Sequence, residues 1–211
     1  MGERTTRDRI VEAADRLFYR QGYEHTSFAD IADAVQISRG NFYHHFKTKD
    51  EILDAVIEAR LAGTRGMLQQ WEIAGETPAD RIRCFIHILI TNRADIKRYG
   101  CPVGTLSTEL GKLGHSARAE ANSLFTLFRT WLSRQFALAG READSDRLAM
   151  HVLARSQGVA MLASALGDEK FIRQEVADMC VWLEARLAEA TSKREGKRNV
   201  RRFAQIRRQQ G

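Results

Sequence analysis

Apolar side chains recur at intervals of three and four residues along most of this 211-residue chain, the period of an amphipathic helix. In the first segment they run through Ile10, Ala13, Leu17 and Phe18 and stop at Gly22. No segment alternates apolar and polar positions as a half-buried strand does. The pattern predicts an all-α protein. We expect the first helix to begin at Thr5 or Thr6, and later helices to begin after Ser27, Ser38, Thr48, Thr77 and Cys101. Three more helices are expected to cover about residues 116–138, 145–166 and 169–191.

Two short helices separated by a tight turn are predicted directly after the first helix. Ser27 and Asp30 have the spacing of a capping box that opens the first of the pair. Ser38 is an N-cap for the second, and Gln36 and Ile37 form the turn. Two short helices joined in this way are typical of the helix-turn-helix, whose second helix enters the major groove of DNA.

The second helix of this pair has a basic surface. An exposed run of polar and basic groups without carboxylates favours binding to the phosphates of DNA. Residues 34–49 contain no acid, and their basic or titratable members are Arg39, His44, His45, Lys47 and Lys49.

The same segment closely resembles the signature of the TetR family of bacterial transcriptional regulators, over residues 6–57. It departs at the turn, where Val35-Gln36-Ile37 stands for Ala-Gly-Val. Gln36 costs on the order of 1 kcal/mol relative to glycine if its φ is positive. The positions that match in register are Ile31, Ala32, Ser38, Gly40, Phe42, Tyr43, Phe46, Lys49 and Leu53.

The resemblance implies a domain organisation and a function. Residues 1–50 are expected to form a three-helix DNA-binding domain with the helix-turn-helix, and residues 51–192 a helical domain for ligand binding and dimerisation. Residues 193–211 form a basic tail. The implied protein is a repressor, since repression is the usual mode of the family, and a small-molecule effector releases it from a palindromic operator on double-stranded DNA. The fourth helix belongs to both domains and would carry the signal along a rod of about 30 Å.

Contacts to DNA can be assigned to individual residues. Arg39, in the first turn of the second short helix, suits the edge of a guanine. Tyr43 suits a phosphate, as does Lys49 together with the N–H groups that begin the fourth helix. Ser27 caps a helix and faces the DNA backbone, and Gly40 allows a close approach. The expected DNA-binding residues are Ser27, Arg39, Gly40, Asn41, Tyr43, His44 and Lys49.

A ligand pocket is expected between the fourth and eighth predicted helices, where aromatic and sulfur side chains gather. Such stripes are also what an ordinary helical core contains, so the core alternative stays open for each member. Glu109, His115 and Gln157 are the polar groups suited to orient a ligand. The candidate lining residues are Phe85, Leu89, Tyr99, Cys101, Leu106, Glu109, Leu110, Phe125, Phe128, Trp131, Gln157 and Met161.

Cys101 suggests an alternative mode of sensing. Pro102 at the first helical position places Cys101 at the N-cap, where the helix dipole stabilises a thiolate. Some regulators that this chain resembles sense electrophiles or oxidants through a cysteine placed in this way. The two hypotheses are a thiol sensor on the same fold and a small buried side chain in the wall of an ordinary pocket. Cys84 and Cys180 lie on apolar stripes and are expected to be core.

Metal binding and catalysis find little support in the sequence. His44 and His45 are adjacent, so they diverge by about 100° on a helix and do not chelate one ion. The acids Glu109 and Glu120 come with no nucleophile and no glycine-rich loop. We therefore expect no metal and no cofactor, and a helical enzyme is a distant third hypothesis.

The predicted helices over residues 145–166 and 169–191 are the expected dimer surface. Two such helices from each subunit would pack as a four-helix bundle about a two-fold axis. A dimer places two copies of the DNA-binding helix on a palindromic site. The apolar residues assigned to this surface are Leu148, Val152, Val159, Leu162, Ala163, Phe171, Val176, Met179, Cys180, Leu183 and Leu187.

Charge and composition refine this picture. The net charge of +6 is misleading, because residues 193–211 carry eight basic residues and one acid and residues 1–192 sum to −1. The tail is expected to be a solvated, disordered end, or alternatively a basic arm that touches phosphates. Three widely spaced cysteines fit a reducing cytoplasm, and no apolar run approaches the length of a membrane span.

Overall fold

The computed structural model describes residues 5–209, and side chains are described for residues 5–189. Within this part of the chain all regular structure is helical, as predicted. The phosphate contact expected of the tail depends on side chains that lie outside the described residues. The helices are α1 (Thr6–Gln21), α2 (Phe28–Val35), α3 (Arg39–His45), α4 (Lys49–Ala74), α5 (Pro78–Thr91), α6 (Arg93–Tyr99), α7 (Pro102–Leu113), α8 (Arg118–Phe136), α9 (Ser145–Leu166) and α10 (Glu169–Gln209).

Side-chain caps fix the first residues of these helices. Thr5, Ser27 and Thr77 each form a complete capping box with an aspartate three residues further on. Ser38 and Thr48 each accept a hydrogen bond from the third N–H of their helix. Each cap satisfies donors that the first turn leaves free, which is why these starts are readable from sequence. Within residues 5–209, no helix is long and apolar enough to cross a bilayer.

Three segments differ from the prediction. α10 continues to Gln209, where a helix ending near residue 191 and a disordered tail were expected. α6 is a separate short helix after α5. Its N-cap, Asn92, makes no side-chain capping hydrogen bond, so no capping signal marks its start. α8 ends at Phe136 and is followed by the π turn Ala137–Arg141 and the 3₁₀ turn Glu142–Asp144, where a continuous helix to Leu138 was expected. The break occurs because Gly140 adopts a φ of 92°.

The apolar side chains form two cores, and α4 contributes to both. The first core joins α1–α3 to the beginning of α4, and α7 and α8 complete it with Leu106, Leu110 and Leu124. The second core lies among α5, α8, α9 and α10 and includes Leu68 from the far half of α4. We call α1–α3 with their loops the head, and α5–α10 the body.

Most residues assigned to the dimer surface are instead inside the subunit, so that expectation is wrong for them. Their stripes on α9 and α10 face α5 and α8, where the second core leaves no room for a partner. Those fully buried are Leu148, Val152, Val159, Ala163, Val176, Met179 and Leu183, while Phe171, Cys180 and Leu187 are partly buried against the same core. Leu162 is exposed, and the other large apolar side chains exposed on these helices up to residue 189 are Met150, Met161, Leu166 and Val181.

Candidate functional site

The head presents α3 with its apolar side inward and its polar side outward. Phe42 is 1 % exposed, and its ring packs edge-on against Phe28 with centroids 5.2 Å apart. This packing fixes the rotation of the short helix. Three of the expected DNA-binding residues, Arg39, Asn41 and His44, are exposed on its outer face.

Gly40 and Tyr43 occupy the same exposed helix. A Cβ built on Gly40 would meet no atom within 4 Å, so the surface above it is open to another molecule. Tyr43 is 45 % exposed, with its ring 5.6 Å from that of Phe28. The lysine side chain of Lys47 folds back to donate to the Tyr43 carbonyl. The exposed side of the helix therefore has an open backbone at Gly40, with Arg39, Tyr43 and His44 around it.

The turn between α2 and α3 holds a non-glycine residue in the left-handed region. Gln36 has φ 58° and ψ 50°, which is the left-handed conformation. A glutamine in this conformation costs free energy relative to the glycine of the family signature. Arg9 on α1 donates to the Val35 carbonyl at 2.8 Å and ties this turn to the first helix. The role of Arg9 was not predicted, because nothing in a helical pattern indicates a partner that lies so far along the chain.

The two remaining predicted DNA contacts already have partners within the head. Ser27 caps α2, and its hydroxyl exchanges hydrogen bonds with Asp30. The ammonium of Lys49 donates to the Tyr23 carbonyl at 3.0 Å and to the Glu24 carbonyl at 3.2 Å. A phosphate would have to share or replace these carbonyls, so direct contact of Lys49 with DNA stays a prediction.

A carboxylate of the body holds the α1–α2 loop, residues 22–27, from the opposite side. On α7, Glu109 accepts the N–H of Tyr23 through Oε2 and the N–H of Glu24 through Oε1, each at 2.9 Å. A Cβ at Gly22, whose φ is 91°, would lie 2.8 Å from Glu109 Oε1, so glycine is required for this approach. Glu109 was predicted to orient a ligand, and the structure shows that it joins body to head.

The side chain of Tyr23 adds a second junction. Its hydroxyl donates to Asp50 on α4 at 2.5 Å, and this bond is the main reason that the pKa of the Asp50 carboxyl lies below its usual range. His115 Nε2 lies 3.5 Å from the same carboxylate, while His115 Nδ1 accepts the Ala117 N–H that precedes α8. The α1–α2 loop therefore connects with α4, α7 and the α7–α8 connection.

Five of the predicted ligand-binding residues line one open groove of about 600 Å³ between α7 and α9. We call it the Cys101 groove. Gly104 allows α7 to pass close to Gln157, because a Cβ there would lie 2.8 Å from Gln157 Oε1. The lining residues are Tyr99, Gly100, Cys101, Gly104, Thr105, Thr108, Glu109, Lys112, Gln157, Met161, Ser164 and Ala165.

The other predicted pocket residues do not line this groove. They pack in the two cores, because their aromatic and aliphatic stripes are what hold neighbouring helices together. Trp131, for example, packs in the second core while its indole N–H donates to Glu72 at 3.0 Å. The residues assigned to cores in this way are Phe85, Leu89, Leu106, Leu110, Phe125, Phe128 and Trp131.

A second cavity, of about 480 Å³, opens between α1, α4 and α8, and Phe128 forms part of its wall. Arg60 on α4 crosses its edge, donating to Asp15 at 2.6 Å and to the Pro102 carbonyl at 2.8 Å. Tyr19 donates to the Gly100 carbonyl at 2.7 Å. These bonds join α1 and α4 to the start of α7, so this cavity also lies beside a head–body junction.

The three cysteines are free and differ in their surroundings. Cys101 is the N-cap of α7, as predicted, and its Sγ accepts the Gly104 N–H at 3.5 Å while facing the open groove. Burial raises the pKa of the Cys180 thiol, which makes it a weaker nucleophile. Among the residues described, no three metal-binding side chains are arranged to hold an ion.

The comparisons with known proteins agree on one kind of protein. A family profile described as "Bacterial regulatory proteins, tetR family" matches residues 10–56. An HTH-type transcriptional regulator from the lacX 3′ region of Lactococcus lactis is 30% identical over 169 residues, covering 78% of this chain and 86% of that protein. The HTH-type transcriptional repressor DhaR of Mycobacterium sp. (strain GP1) is 26% identical over 171 residues, covering 76% and 83%.

A solved structure gives the same picture. The crystal structure of a TetR transcriptional regulator from Legionella pneumophila superposes with a TM-score of 0.75 at 25% identity, covering 88% of this chain and 98% of that one. The match extends well beyond the residues of the helix-turn-helix, so it includes the body as well as the head.

Proposed function

This chain belongs to the TetR family of bacterial transcriptional regulators, and from that premise we propose that it is a homodimeric repressor released from a palindromic operator by a small molecule in the Cys101 groove. Like its relatives, it is a DNA-binding regulator and not an enzyme. A reducing cytoplasm, where bacterial DNA lies, suits its three free cysteines.

The observation that carries the effector proposal is the position of Glu109. Its carboxylate accepts two N–H groups of the α1–α2 loop, and the same residue lines the Cys101 groove. A molecule in the groove therefore meets a group that holds the head. We assign the effector to this groove rather than to the cavity beside Arg60, because five of the candidate ligand-binding residues converge there.

α4 is the second route by which the body acts on the head. It contains 26 residues, a length of about 39 Å at the usual rise. Leu53 near its start is buried in the first core, and Leu68 near its end is buried in the second. Because packed cores transmit a displacement as a rigid unit, a shift of the body end changes the position of α3.

Exposed apolar side chains on α9 and α10 support dimerisation through these two helices. Leu162 is 43 % exposed, and Leu166 and Val181 are exposed to 71 % and 66 %. Large apolar groups that a subunit leaves exposed mark an interaction surface where they form a continuous patch. Two-fold packing of α9 and α10 would cover them and place two α3 helices on the two halves of an operator.

The proposal is tested with the purified protein and the DNA that flanks its own gene. We expect nuclease protection of a nearly palindromic site, and lower transcription in vitro from the adjacent promoter when the protein is added. A scrambled site of equal length is the control. Protection of a site without palindromic symmetry would contradict binding as a two-fold dimer. Increased transcription would show that the protein is an activator.

A thiol sensor on the same fold is the second candidate. It is favoured by the exposure of Cys101 to the groove at an N-cap, where a thiolate is stabilised. If this candidate holds, iodoacetamide will release operator DNA from the wild type and from Cys84→Ser and Cys180→Ser, while Cys101→Ser stays bound. Equal release of all four proteins would exclude Cys101 as the sensor. Fluorescence anisotropy of labelled operator, with alkylation sites mapped by mass spectrometry, gives the answer.

A further inference from the structure

We propose that the Cys101 groove takes a small amphipathic amine, whose ammonium group draws the Glu109 carboxylate away from the α1–α2 loop and thereby releases the head. The inference rests on the proposed effector function and adds the chemical class of the effector and the group that it captures. Glu109 acts here as a positioning residue, because it holds the loop and does not itself touch DNA.

Glu109 is placed to detect a cation. Both of its carboxylate oxygens are occupied by N–H groups of the head, so whatever removes the carboxylate breaks both bonds together. Among the residues described as lining the groove it is the one acid, and Lys112 is the one base. A positively charged ligand in this groove therefore has one carboxylate to pair with.

An ammonium group competes well with the N–H groups of the loop for the Glu109 carboxylate. The head offers two neutral amide N–H groups, and hydrogen bonds from a cationic donor to a carboxylate are roughly twice as strong as neutral ones. An anionic ligand would pair with Lys112, which lies one helical turn beyond Glu109 on α7. It would leave Glu109 on the loop, so anions and cations are expected to act differently.

The rest of the groove suits the apolar part of such an amine. Tyr99 lines the groove, and its ring packs edge-on against Tyr19 with centroids 5.4 Å apart. Met161 of α9 also lines it and is 64 % exposed. A thioether adapts to apolar ligands of different shape. An aromatic ring attracts a cation near its face.

Loss of Glu109 would free the loop without unfolding it. Lys49 would still hold the Tyr23 and Glu24 carbonyls, and the Tyr23 hydroxyl would still reach Asp50. These remaining bonds all connect the loop to the first turn of α4. The head would thus stay folded but lose its two hydrogen bonds to Glu109 on α7, which changes where α3 lies relative to the second subunit.

Cys101 provides the means to test this inference, because a group attached to it enters the groove. In a Cys84→Ser, Cys180→Ser background, the Cys101 thiolate attacks the sulfenyl sulfur of a methanethiosulfonate. A disulfide to the added group forms, and methanesulfinate leaves with the bonding electrons. The 2-aminoethyl, methyl and 2-sulfonatoethyl reagents install a cation, a neutral group and an anion at the same atom.

We expect the aminoethyl adduct to weaken operator binding by tenfold to a hundredfold, as measured by anisotropy, and the other two adducts to change it less than threefold. The amide hydrogens of Tyr23 and Glu24 should exchange faster in the cationic adduct alone, as followed by NMR. In Glu109→Gln, which keeps the shape of the side chain but not its charge, the difference between the three adducts should disappear.

The outcomes separate this inference from the function on which it rests. Equal release by all three adducts would overturn the cation capture and favour the thiol sensor. No release by any adduct would also overturn it, while operator binding by the unmodified protein would still support the proposed repressor. Selective release that persists in Glu109→Gln would show that another group detects the cation.

Discussion

Leu162→Glu combined with Val181→Glu is expected to give a monomer that has lost operator-specific binding. Both side chains are exposed on the surface that α9 and α10 present, and a buried unpaired carboxylate at the centre of an interface is strongly unfavourable. With one α3 per particle, operator affinity should fall about a thousandfold, toward that for unrelated DNA. Size-exclusion chromatography with light scattering gives the mass, and anisotropy gives the affinity.

The matched control carries the same two charges elsewhere. Ile73→Glu combined with Leu138→Glu replaces apolar residues that are 86 % and 55 % exposed but lie outside α9 and α10. This variant should remain a dimer and bind the operator as the wild type does. If it also becomes monomeric, or if the Leu162 and Val181 variant stays dimeric, the assignment of the dimer to α9 and α10 is incorrect.

Arg39→Ala is expected to relax sequence preference at one base pair in each half of the operator. Arg39 is exposed at the start of α3, where a guanidinium bonded to a guanine edge contributes about 1–3 kcal/mol of discrimination. Tyr43→Phe should instead weaken binding to all sequences equally, since a phosphate contact carries no base information. A library of operators with single substitutions, titrated by anisotropy, distinguishes the two patterns.

Arg98→Ala is the control for the loss of charge. Arg98 is exposed on α6 in the body, so its removal changes the net charge by the same amount without altering α3. Preference should be unchanged in this variant, and affinity should shift only slightly. An Arg39 variant that keeps the full preference of the wild type would show that α3 reads the bases through other residues.

The helix starts and the helix-turn-helix were predictable because local chemistry determines them. A hydroxyl at Ser27 or Thr77 and an aspartate three residues later satisfy the N–H groups of the turn between them. The positive φ of Gln36 was likewise indicated by its place in the turn. These features depend on neighbours within a few residues, which a sequence displays directly.

The functional junctions were less predictable, since they depend on partners far apart in the chain. Glu109 meets Tyr23 across 86 positions, and its charge alone suggested a ligand contact as readily as a contact with the head. α9 posed a different problem, because it is apolar on two sides. Leu148 is buried and Met150 is exposed, although both are apolar. Which of the two sides of α9 faces the core depends on the packing of the helices and not on composition.

The shared first core also bears on how regulators of this kind can be recombined. Leu106, Leu110 and Leu124, which belong to α7 and α8, lie in the same apolar cluster as Ile10, Ile31 and Phe42. A DNA-binding module cut at the end of α3 would lose part of its own interior. Exchange of operator specificity between such proteins therefore requires moving a surface patch on α3, or else carrying α7 and α8 along as part of the exchanged unit.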